Sequence, residues 1–140
     1  MGRAVTEGAE SFVSYQPSQA LSFRLDYTYT QATDEILHQE LLRRPKHKGS
    51  LNMAWRATGR LSLNATLLSV GSWIDGNRDF SDPRLTAPGY TTMDVAAAYS
   101  LTANWSLTGR ITNLFDRHYE NPVGFLQPSL GAFAGIRAKF

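Results

Sequence analysis

Residues 21–30 read Leu-Ser-Phe-Arg-Leu-Asp-Tyr-Thr-Tyr-Thr, ten positions that alternate apolar and polar without a break. Successive side chains of a strand point to opposite faces, so Leu21, Phe23, Leu25, Tyr27 and Tyr29 share one face and Ser22, Arg24, Asp26, Thr28 and Thr30 the other. A helix would scatter the same residues around its axis. Strands of soluble proteins usually run about 5–6 residues. A tilted strand that crosses a bilayer needs about 9–11, which this run supplies.

The same period recurs along the chain. Residues 4–15 place Ala9, Ser11, Val13 and Tyr15 against Gly8, Glu10, Phe12 and Ser14, the weakest pattern of the set. Residues 48–56 set Leu51, Met53 and Trp55 against Ser50, Asn52, Ala54 and Arg56. Residues 61–73 set Leu61, Leu63, Ala65, Leu67 and Trp73 against Ser62, Asn64, Thr66 and Ser72, with Leu68 and Val70 breaking the polar side. Met93, Val95, Ala97 and Tyr99 oppose Thr92, Asp94, Ala96 and Ala98; Trp105, Leu107, Gly109 and Ile111 oppose Ser106, Thr108, Arg110 and Thr112. In the last segment Ala132, Ala134, Ile136, Ala138 and Phe140 oppose Phe133, Gly135, Arg137 and Lys139. Seven strands are predicted.

The connections also alternate. Short turns follow Tyr15 (16–19), Arg56 (57–60) and Ser100 (100–104); long polar loops occupy about 31–47, 74–89 and 116–129. Within the first loop, 35–37 and 40–42 have the pattern of a short helical turn. Short turns on one side and long loops on the other are the asymmetry of outer-membrane barrels. On that reading Tyr15, Trp55, Tyr99, Trp105 and Phe140 fall near the short-turn ends of the apolar face, and Tyr27, Tyr29, Trp73 and Phe115 near the long-loop ends. Two aromatic bands suit the headgroup levels of a bilayer. Tyr90 is off parity.

The fold expected is therefore all-β: an antiparallel transmembrane β-barrel segment of about seven long strands. A mean hydropathy of −0.30 looks like that of a soluble protein, but transmembrane strands are only half apolar. The alternation also allows a soluble β-sandwich or β-barrel that binds a small ligand, with the apolar face as its core, or a passive porin. No apolar run reaches the roughly 18 residues of a membrane helix. The formal net charge of +2 gives no electrostatic case for nucleic acid. The start of the chain lacks the apolar stretch of a signal peptide.

No catalytic, metal or cofactor constellation is visible, so no enzyme activity is expected. His38, His47 and His118 sit in or beside loops without metal-site spacing. Residues 43–48, Arg-Arg-Pro-Lys-His-Lys, form a basic cluster that suits lipopolysaccharide phosphates or, more ordinarily, a solvated strand entry. Arg24, Asp26, Asp94, Arg110, Arg137 and Lys139 on the polar face are costly to bury dry and demand water or polar partners.

Residues 113–120, Asn-Leu-Phe-Asp-Arg-His-Tyr-Glu, resemble the N-L-F-D-x-x-Y motif of TonB-dependent outer-membrane receptors, here Asn113, Leu114, Phe115, Asp116 and Tyr119. Tyr27-Thr28-Tyr29-Thr30, Arg44-Pro45 with His47, Pro88-Gly89-Tyr90, and the terminal Phe133, Gly135 and Phe140 fit the same family. Pro128-Ser129-Leu130 departs from its usual Pro-Gly-Arg. The resemblance covers essentially residues 1–140 and implies the C-terminal sector of a barrel of roughly 22 strands, without plug domain or signal peptide. It further implies location in the Gram-negative outer membrane and TonB-energised uptake of cobalamin, a ferric siderophore or a similar scarce nutrient. Its partners would be lipid and lipopolysaccharide, the TonB complex, the plug, and the barrel assembly machinery reading Ile136, Ala138 and Phe140. The resemblance does not identify ligand-binding residues. Seven strands leave two open edges, through which an isolated chain is expected to self-associate.

Overall fold

The computed structural model describes residues 3–76, 79 and 81–139. The alternating segments form β1 (Ala4–Ser18), β2 (Leu21–Asp34), β4 (His47–Arg56), β5 (Leu61–Val70), β8 (Tyr90–Ser100), β9 (Trp105–Thr112) and β10 (Gly131–Ala138). These seven follow one another in an antiparallel meander, β1-β2-β4-β5-β8-β9-β10. Three short strands lie in the long loops: β3 (Gln39–Glu40) adds to β2, and β6 (Trp73–Asp75) pairs with β7 (Leu85–Ala87) as a separate hairpin.

Register keeps the two chemistries apart across the whole sheet. Val13, Leu25, Leu51, Leu67 and Met93 are successive partners in one row, and Leu63, Ala97, Gly109 and Ala134 in another. On the opposite face Ser14, Arg24, Asn52, Thr66 and Asp94 form an equally continuous row. A slip of one residue at any ladder would turn a strand inside out.

Several groups of the polar face pair with one another, along a strand or across it. Arg24 pairs with Asp26 at 2.7 Å and lies 4.5 Å from the centre of the Phe12 ring. Arg110 pairs with Asp94 at 3.1 Å, and the Thr66 hydroxyl donates to Asn52 Oδ1 at 3.0 Å.

The apolar face is bare. Val13, Leu25, Leu51, Leu107 and Ile136 are all exposed. In a soluble sandwich these residues would be the core, so the soluble reading fails. The buried apolar cluster lies instead at the long-loop end, where Val70, Trp73, Ala87 and Tyr90 pack together with Leu68, Tyr119 and Val123 against them. Among the described residues β1 is paired with β2 and β10 with β9, and no ladder joins β1 to β10, so the sheet is open.

Several local expectations are corrected. β1, the weakest pattern, is the longest strand at 15 residues and runs through Ser18 into the expected turn, because an irregularity between Tyr15 and Ser18 absorbs the extra residues. The fifth strand stops at Val70. Trp73 therefore does not belong to the lipid-facing aromatic band: it is 5% exposed, folded back in β6 onto Tyr90. No helical turn forms at 35–42; the Asp34 carboxylate accepts the backbone N–H groups of Ile36 and Leu37 at 2.8 and 2.9 Å and fixes a turn leading into β3. Phe140 lies outside the described residues.

Candidate functional site at the long-loop end

The three long connections, residues 35–46, 71–89 and 113–130, leave the same end of the sheet. The third is braced by Asn113. Its backbone sits in the left-handed region, φ 49°, as does that of Asp116 at 48°, a conformation that asparagine and aspartate adopt more readily than most residues. Asn113 Nδ2 donates to the carbonyls of Arg117 and Pro128 at 3.0 and 3.1 Å, and its Oδ1 accepts the Arg117 N–H at 2.9 Å. Its own N–H donates to Asp94 on β8 at 3.0 Å. Asp116 Oδ1 then accepts the Leu130 N–H at 2.9 Å. Two polar residues thus tie the ends of the third loop to each other, and Asp94 anchors its start to β8.

The second loop folds over the strand ends. Gly89 permits this: a Cβ there would lie 2.6 Å from the Val70 carbonyl oxygen. Tyr90, off parity in the sequence and 8% exposed, is the pivot. Its ring stacks on Tyr119 at 3.9 Å and meets Trp73 edge-on at 6.1 Å, and its hydroxyl accepts Asn121 Nδ2 at 3.2 Å. Burial, with Tyr90 and Asp94 nearby, pushes the Tyr119 hydroxyl above its ordinary value of 10.0.

At the centre is Asp75, with 0% of its surface exposed. Oδ1 accepts Arg43 Nε at 2.9 Å and the Gly76 N–H at 2.8 Å. Oδ2 accepts the Val123 N–H at 3.0 Å and Trp73 Nε1 at 3.4 Å. Burial pushes this carboxyl up, but Arg43 and the Val123, Gly76 and Trp73 N–H donors outweigh it and hold it below the ordinary carboxylate value.

Most of the basic cluster at 43–48 is engaged internally. Arg43 holds Asp75, Lys46 pairs with Glu40, and His47 Nδ1 shares a 2.7 Å hydrogen bond with the Tyr27 hydroxyl. Among the described residues no group of three or more His, Asp or Glu is placed to hold a metal. Leu114 and Phe115 are exposed while Tyr119 enters the aromatic stack. Ile136 and Ala138 sit on the apolar face of β10, opposite Leu107 and Trp105.

A cleft of about 420 Å³ opens among Val70, Gly89, Tyr90, Thr91, Phe115 and Arg117. Aromatic faces beside a guanidinium suit a planar or anionic group. Sequence reasoning missed Arg43, Trp73, Asp75 and Val123 as members of the cluster. The parity breaks at Leu68, Val70 and Tyr90 were the signal that side chains from elsewhere would pack there.

Residues 1–114 match the family model of the TonB dependent receptor-like β-barrel. The chain belongs to the TonB-dependent receptors. Over 117 residues it is 32% identical to an iron-regulated outer membrane virulence protein of Vibrio cholerae, a match covering 81% of this chain and 18% of that protein. Over 95 residues it is 35% identical to the vitamin B12 transporter BtuB of Photobacterium profundum, covering 68% and 15%. The fold is that of the ferric-catecholate import receptor Fiu from Escherichia coli: TM-score 0.82, 22% identity, 99% of this chain and 21% of that one. The chain thus spans less than a fifth of the length of these curated relatives. As in other members of this family, its long strands belong to a β-barrel of the Gram-negative outer membrane.

Proposed function

We propose that the chain is the C-terminal sector of an outer-membrane receptor that takes up a ferric siderophore, cobalamin or a similar scarce nutrient, driven by the TonB complex. The observation that supports this most is the family match over residues 1–114, together with an apolar row continuous across the sheet. The self-paired charges Arg24–Asp26 and Asp94–Arg110 face the interior, where a plug domain and water would meet them. The long loops form part of the outer mouth. The sheet is open at both edges, so this segment does not transport by itself; alone it would pair its edges with another copy. Ile136, Ala138 and Phe140 serve as the signal for the barrel assembly machinery, and the outer rim contacts lipopolysaccharide. The role is transport and not catalysis.

The test is uptake of labelled cyanocobalamin and of ferric siderophores by cells carrying the receptor, with and without TonB. Uptake of one class that disappears without TonB is expected. Uptake unaffected by loss of TonB would point to a passive pore and overturn the proposal.

A further inference from the structure

The geometry points to Asp75 as a positioning residue that ties the three long loops into one unit, a preformed wall of the receptor mouth. The inference rests on the receptor reading above, since a mouth exists only in the complete barrel.

Four donors reach the Asp75 carboxylate, and they come from three loops. Gly76 N–H and Trp73 Nε1 belong to its own hairpin. Arg43 Nε comes from the first loop, 32 positions earlier, and Val123 N–H from the third, 48 positions later. A carboxylate removed from water is costly unless its lone pairs are used, and here both oxygens accept twice. The hairpin itself does not need the distant donors. Its strands are already paired through Trp73–Ala87, Ile74–Thr86 and Asp75–Leu85. What Arg43 and Val123 add is the link between loops.

Arg43 supplies a second, independent observation. It sits at φ 60°, a left-handed conformation that disfavours arginine. Such strain persists where surrounding contacts over-determine it. Its N–H donates to the Ile74 carbonyl at 2.7 Å, so both its backbone and its side chain are held by the β6 hairpin. Arg84 Nη2 returns the contact by donating to the Glu40 carbonyl at 2.6 Å. The third loop is held further on the first residue of β8, through the Tyr90–Tyr119 stack and Asn121 to Tyr90. Asp75 is where ties to both neighbours meet in one side chain.

The test is amide hydrogen exchange of the complete receptor, purified in detergent without ligand, as wild type, Asp75→Asn, Arg43→Met and the double variant. Asp75→Asn is expected to speed exchange at least tenfold in residues 35–46 and 117–130 as well as in 71–89, with β4, β5 and β8 unchanged. Arg43→Met should speed residues 35–46 and 71–89 together, and the double variant should not exceed Asp75→Asn in those two stretches. Faster exchange confined to residues 71–89 in Asp75→Asn would show a merely local role and overturn the inference. Should Asp75→Asn fail to assemble, Arg43→Met decides alone, because a change limited to residues 35–46 contradicts the link. The measurement uses no ligand or TonB, so its failure leaves the uptake reading standing, and a negative uptake assay leaves this result intact.

Discussion

Asn113 Nδ2 lies 3.1 Å from the carbonyl oxygen of Pro128, closing the third loop across 15 positions of chain. The same amide group holds Arg117 through both its nitrogen and its oxygen. Asn113→Ala removes these bonds and leaves the Arg117 and Pro128 backbone groups to water, a cost of about 0.5–1.5 kcal/mol per bond. It also places alanine at φ 49°, which adds about 1–2 kcal/mol. Asn113→Gly loses the bonds without the strain, so it is expected to be the milder variant. Proteolytic susceptibility of residues 117–130 in the two variants checks the order.

Leu25 stands midway along the apolar face of β2, between Leu51 and Val13 in the register. Leu25→Arg is expected to destabilise the receptor in lipid by about 2–4 kcal/mol, the cost of a cation near the bilayer midplane. Ala54→Arg, exposed on the wet face of β4 opposite Ser22 and Asn64, should stay within about 0.5 kcal/mol, as for an ordinary solvated substitution. Urea titration of the receptor in bilayers distinguishes the two.

Asp75 gives the loop cluster an acid limit. Its folded carboxyl is held below the ordinary value of 3.8, so its stabilising contribution is complete above that pH and is lost as pH falls through the folded value. Loop protection against protease is expected to be flat from neutral pH down to the ordinary carboxylate range and to drop below it. Asp75→Asn, which cannot titrate, should abolish this component of the drop; an acid-resistant protease makes the comparison direct.

The legible part of the fold was the part set by solvent on both sides. Lipid against one face and water against the other impose period two on every long strand, so Leu21 to Tyr29 could be read directly, and the register confirmed the rows strand by strand. The loop cluster was illegible because its members, Arg43, Trp73, Asp75, Tyr90 and Val123, come from three loops and the start of β8, with no common period. Parity counted onward from Val70 misplaced Trp73, since the chain leaves the sheet at Gly71 and Ser72 and turns back. The run at 113–120 was visible only as a resemblance, and the physical part its residues play in this chain was not. The left-handed backbone of Asn113 and Asp116 and the hydrogen bonds to Pro128 and Leu130 supply it.

The central claim is that the bare apolar face of this sheet meets lipid while the opposite face meets water. The chain contains no cysteine, so single cysteines can be introduced into this segment without a competing thiol from it. Spin labels at Leu51, Asn52, Met53 and Ala54 of β4, in the receptor reconstituted in bilayers, report access to oxygen and to a water-soluble nickel chelate. Strict alternation is expected: Leu51 and Met53 favour oxygen, and Asn52 and Ala54 favour the chelate. Uniform access along the strand, or the reverse alternation, would contradict it.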